Sequence, residues 1–140
     1  MADPLPTKIH LTVVTRERKI VEAQVDEVVM PATDGEIGVL PGHTPLLTTL
    51  KIGPMRYRIG TNVERLVLSW GFAEVLPDRV IVMAETAKLL TEIDATAAEA
   101  ERLEAEKELA YLSSHDPEFA KVEARLEESI AMIDLHRHHS

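Results

Sequence analysis

His43 is the first residue to weigh for chemistry. It lies in "DGEIGVLPGHTPLL", Asp34 to Leu47, which holds three glycines and two prolines. A catalytic base needs a nucleophile or an orienting carboxylate within reach. Asp34 and Glu36 are near in sequence, so a small hydrolase site built on His43 is one reading. A structural or interface histidine is the plainer one, because the segment is partly apolar (Ile37, Val39, Leu40, Leu46, Leu47). Glu36 reads either as a solvated turn acid or as a contact for a basic partner. His136, His138 and His139 crowd the C-terminus, but a frayed end does not fix metal geometry, so no metal site is expected. Nothing in the chain has the pattern of a Walker A loop, a Rossmann fingerprint or a zinc ligand set, and no cofactor is expected.

The elements that would carry these residues fall into two groups. The chain has 140 residues, no cysteine and a net charge of -9. The missing cysteines exclude disulfides and thiolate sites and fit a reducing compartment. The acidity argues against nucleic acid as a partner. The N-terminus lacks a basic region followed by an apolar run, so no signal peptide is read and a cytosolic-side protein is expected. Composition breaks at Thr91. Seven of eight prolines and all six glycines precede it, and residues 91–140 carry a net charge of -8. Two units are expected, 1–90 and 91–140.

The first unit reads as strands. Ile9, Leu11 and Val13 alternate with His10, Thr12 and Val14 at the period of a half-buried strand. Further β-rich runs are Val25–Met30, Leu46–Leu50, Met55–Ile59, Arg65–Ser69, Phe72–Leu76 and Val80–Met83, separated by turn signals such as "IGTN" and "LPDR". That spacing suits an antiparallel β-sandwich or barrel. Trp70 is expected in the core or in an interface.

The second unit reads as an antiparallel two-helix hairpin. Asp94 is an N-cap candidate, and Ala98, Ala105, Leu109 and Leu112 form one apolar stripe. "SSHDP" breaks the helix. Asp116 and Pro117 suit the start of a second one, with a stripe of Phe119, Val122, Leu126, Ile130 and Ile133. Glu99, Glu101, Glu104, Glu106 and Glu108 read as a solvated face. The first stripe is half alanine and isolated helices of this length are marginal, so the hairpin needs a surface to dock on. If it can choose between the sandwich and another protein, it is a switch.

Three segments carry a family resemblance: "IHLTVVT", "DGEIGVLPGHTPLLTTL" and "LVLSWGFAEVLPDRVIVMAETA". The second matches an acidic-Gly-Glu-aliphatic-Gly turn followed by Pro-Gly-His-x-Pro-Leu-Leu-Thr. The chain resembles, over nearly its whole length, the epsilon subunit of bacterial F-type ATP synthase, called delta in mitochondria. The resemblance implies a non-catalytic central-stalk subunit of a proton-translocating complex. It implies peripheral attachment at the cytoplasmic side of the cell inner membrane, touching the membrane only through the complex. It implies that Glu36, Ile37 and Gly38 face the c-ring and that Thr15, His43 and Thr48 face the gamma subunit. It implies that the hairpin either folds on the sandwich or reaches transiently toward the catalytic alpha/beta head and inhibits hydrolysis. Some relatives bind ATP in the folded hairpin through Ile/Leu-Asp-x-x-Arg-Ala. Here Ile93 and Asp94 match, Ala97 stands in the arginine's place, and the second-helix arginines fall near Glu128 and Met132. An ATP-sensing binding module is therefore the alternative reading, on an incomplete motif.

Overall fold

A computed structural model describes residues 5–139. Ten strands come first: β1 Ile9–Val14, β2 Lys19–Val25, β3 Glu27–Ala32, β4 Gly35–Val39, β5 Leu46–Leu50, β6 Gly53–Ile59, β7 Asn62–Leu68, β8 Gly71–Leu76, β9 Arg79–Ala84 and β10 Ala87–Leu89. A 3-10 turn at Leu90–Glu92 leads to two helices, α1 Ala95–Tyr111 and α2 Phe119–Arg137. The expected class, a β-sandwich followed by two helices, is what forms.

The strands follow the order β10-β7-β6-β3-β5-β8-β9-β1-β2, with β4 added beside β3. β2 returns against β6 and β10, so the sheet folds over on itself. Alternation explains the core. Ile9, Leu11 and Val13 point inward and are fully buried, and Met55, Leu66 and Val75 meet them from other strands. All pairings are antiparallel except β1 with β9, which run parallel from His10↔Arg79 to Val14↔Met83. That pairing joins the two ends of the strand region, a tertiary contact that local periodicity does not report.

Three strand assignments differ from the sequence reading. β2 and β10 were not anticipated. β2 buries only Val21 and Val25 among charged neighbours, and β10 is three residues long. The glycine-proline segment is not all loop. Gly35 turns the chain at φ 134, a conformation that favours glycine, and β4 follows at once. Val39 faces the core and Ile37 packs against it, while Glu36 and Gly38 face outward.

The helices start and stop for local reasons. One Asp94 carboxylate oxygen accepts from Thr96 N–H (3.0 Å) and Ala97 N–H (3.1 Å), which caps α1 as expected. Asp116 accepts from Glu118 N–H at 2.9 Å, but residues 116–118 form a turn and α2 begins at Phe119. Pro117 therefore precedes the helix. Ala98 and Ala105 are buried where α1 meets α2. α2 also lies on the outer face of β6 and β7, where Leu135 covers Val67 and Ile93. This double duty rotates its buried line to Val122, Ser129 and Leu135, leaving Ile130 47% exposed. Ser129 is tolerated there because its hydroxyl donates to the Leu126 carbonyl at 2.8 Å.

Candidate interaction surfaces

The outer face of β5, β8, β9 and β1 carries an apolar strip. The register sets Thr49, Phe72, Met83 and Val14 in one row across the four strands. Phe72 is 46% exposed and Met83 47%, and neighbouring Trp70 is 53% exposed. Trp70 is therefore not a core residue, which corrects half of its sequence reading. Gly71 fixes this display. A Cβ there would lie 2.1 Å from the Met83 carbonyl oxygen, so only glycine lets β8 approach β9 so closely. A shallow groove of about 370 Å³ runs along the strip, lined by Val14, Thr15, Trp70, Phe72 and Met83.

The three residues expected to face gamma are not gathered on this face. Thr15 lines the groove, and its hydroxyl oxygen accepts from Glu17 and Arg18 N–H at 3.3 Å each, closing the β1–β2 turn. His43 belongs to the opposite end, where Gly42 N–H donates to the Pro77 carbonyl at 2.8 Å. The length of β9 separates the two ends, roughly 17 Å at ~3.3 Å per residue. Thr48 lies between them in β5, but its register partner is fully buried Ala73. Its side chain thus shares the inner face, half-buried, and Leu47 and Thr49 are the outward neighbours. His43 Nδ1 lies 2.6 Å from the Thr44 carbonyl, so that nitrogen carries the proton. No carboxylate pairs with His43 among the described residues, and Asp34 and Glu36 give it no catalytic partner.

Glu36, Ile37 and Gly38 sit together on β4, which pairs only with β3. Its other edge has no strand beside it among the described residues. Glu36 is held by Arg56, Oε2 to Nη1 at 3.5 Å. A Cβ at Gly38 would meet no atom within 4 Å, so nothing inside this chain demands glycine there. At the other end of the chain, His139 Nδ1 contacts the His136 carbonyl at 2.9 Å and His138 faces Asp134 at 3.9 Å.

A second groove, about 340 Å³, opens between the helices and β10, lined by Lys88, Asp94, Ala97, Glu101, Arg125 and Glu128 among others. Its charges are already engaged. Arg125 donates to Glu101 at 2.6 Å and to Glu108 at 3.0 Å, bridging the two helices. The Glu101 bond first, then the Glu108 bond, raise the guanidinium's pKa above its ordinary value. Glu128 accepts from the Thr86 hydroxyl at 2.9 Å, and Asp94 caps α1. Ile93 turns away into the apolar cluster under Leu135. A triphosphate needs several cations, and Lys88 alone makes no ion pair here among the described residues.

Residues 8–90 match the family model described as ATP synthase, Delta/Epsilon chain, beta-sandwich domain. The chain belongs to the ATP synthase delta/epsilon family. It is 43% identical to an ATP synthase epsilon chain of Syntrophobacter fumaroxidans over 91% of its length and 95% of the relative's. It is 41% identical to ATP synthase epsilon chain 2 of Syntrophotalea carbinolica, covering 91% and 93%. Among solved structures it is similar to a chain of the Euglena gracilis mitochondrial ATP synthase, OSCP/F1/c-ring in rotational state 1. That likeness has a TM-score of 0.79 and 26% identity, covering 93% of this chain and 82% of the other. A chain of the Tetrahymena thermophila mitochondrial ATP synthase central stalk and c-ring shares the fold at 13% identity and TM-score 0.66.

Within this family chain, sequence reasoning passed over Phe72 and Met83. The signal was present. Gly71, Ala73 and Val75 are small or β-branched and point inward, so alternation alone puts Phe72 outside. Arg125 was also passed over, because its role depends on α1 lying beside it.

Proposed function

We propose that this chain is a non-catalytic rotor subunit that joins the gamma subunit to the c-ring of a proton-translocating ATP synthase, at the cytoplasmic side of the cell inner membrane. The observation that carries the reading is the exposed strip of Trp70, Phe72 and Met83. A large contiguous apolar patch on a small chain is costly in water and suits a protein partner. The gamma subunit would cover the strip, with Thr15 and His43 at its ends and Thr48 in β5. The c-ring would meet β4, where Glu36 offers a carboxylate and bare Gly38 allows close backbone approach. No helix among the described residues is long and apolar enough to cross a membrane, so attachment would run through these contacts. The hairpin would leave the sandwich, reach the alpha/beta head and slow hydrolysis.

Reconstitution with gamma, the c-ring and the catalytic head tests this. Trp70→Ser with Phe72→Ser should weaken gamma association by about tenfold or more while leaving the isolated chain folded. Wild-type association by that double variant would sink the strip as the joint. In the same assembly, replacing the chain with one that ends at Thr91 should raise the ATPase rate of the catalytic head, and an unchanged rate would remove the inhibitory role.

A further inference from the structure

We propose that the cleft between the outer face of β6–β7 and the last turn of α2 binds a small phosphate-class oxyanion. Met55, Tyr57 and Leu66 face the core, so Arg56 and Arg65 project from the outer face. The register sets these two arginines directly opposite each other. Like charges in that relation destabilise a strand pair. One row away Val67 is covered by Leu135, which brings the end of α2 over the arginines. The cleft holds about 420 Å³ and is lined by Arg56, Arg65, Asp134, Leu135 and His138 among others.

An alternative role for the arginines is to tether α2 through Asp134, but that carboxylate is not used. The only ion partner of Asp134 among the described residues is His138 at 3.9 Å, and Arg65 has none. Arg56 reaches only Glu36, at 3.5 Å, and Glu36 does not line the cleft. Arg65 thus has no ion partner among the described residues, and Arg56 lines the same cleft with its one partner, Glu36, outside it. The planar forks of the two arginines suit the oxygens of a tetrahedral anion. Asp134, on the α2 wall of the cleft, adds selectivity. It repels an anion that has no hydrogen to donate and accepts from one that carries a P–OH group. The site should therefore prefer phosphate to sulfate. It does not depend on the rotor reading.

The test is an NMR titration of the full chain with inorganic phosphate, repeated with sulfate and with phosphatidylglycerol vesicles. Saturable shifts are expected at the Arg56 and Arg65 guanidinium signals and at the amides of Ala131–His138. Sulfate should bind about tenfold more weakly, and Arg65→Gln should weaken phosphate binding by about tenfold. Asp134→Asn should narrow the phosphate–sulfate gap. Absence of saturable phosphate shifts, equal binding by the Arg65→Gln variant, equal affinity for sulfate, or vesicle binding without free phosphate binding would each overturn the proposal.

Discussion

The ten strands and the two helices are held together by different means. The strand region has one continuous core of residues such as Ile9, Leu11, Leu66 and Val75, all fully buried and cross-linked by backbone ladders. The helix pair reaches that region through a small cluster of Val67, Ile93 and Leu135, plus a few polar contacts. These include Arg18 with Glu92 at 2.8 Å and the Thr86 hydroxyl with Glu128. Burial sets the stability of the first region, while directional contacts position the second. A part made by burial resists change until it unfolds, whereas a part held by a few contacts can be released whole.

Two leucine truncations give the largest contrast. Leu66→Ala should cost about 3 kcal/mol of global stability, because its cavity opens in a closed core. Leu135→Ala removes the same atoms, yet its cost is capped at whatever holds α2 to the sheet. Urea unfolding should show a shifted midpoint for the first variant and little change for the second. Hydrogen exchange should speed up in α1 and α2 only for the second. Equal global losses would mean that helices and sheet form one cooperative unit, and the comparison would fail.

Legibility in the sequence follows the same division. What depends on neighbours in sequence could be read: the alternation of β1, the Asp94 cap, the break before Pro117. What depends on distant partners could not. The parallel pairing of β1 with β9 joins segments far apart in the chain. The buried face of α2 is set by two surfaces at once, so a single-stripe reading of Phe119 to Ile133 gave the wrong rotation. β4 was hidden by its glycines, which mark turns more strongly than strands. The family motif at Asp34–Leu50 was nevertheless specific enough to identify the chain, while alternation put Phe72 outside but only register set it beside Met83.

A smaller effect is expected from the contact between the helices. Arg125→Gln leaves Glu101 and Glu108 facing each other without a cation. All three side chains are more than a third exposed, so solvent screens the loss and it should amount to ~1 kcal/mol or less. Exchange protection in α1 and α2 should fall, and wild-type protection should fall similarly with added salt. If the variant behaves like wild type at low salt, packing of Ala98 and Ala105 alone holds the helices together.

The smallest expected effect is a titration at Glu92, where strands give way to helices. Its carboxylate accepts the Leu89 N–H at 3.0 Å and two Arg18 bonds at 2.8 and 2.9 Å. The Leu89 bond first, then the arginine, lower its pKa below the ordinary value of 4.5. A group with a lowered folded pKa stabilises the fold above its unfolded value and loses that contribution as pH falls through the folded one. The contact should therefore be intact at neutral pH and dissolve only below about pH 4.5. NMR should place the Glu92 midpoint under 4.5, and Arg18→Gln should raise it toward the ordinary value. The 3-10 turn at Leu90–Glu92 should loosen over the same pH range while the amides of β6 and β8 stay protected. A Glu92 midpoint unmoved by Arg18→Gln would show that the backbone bond acts alone and that Arg18 does not tether this junction.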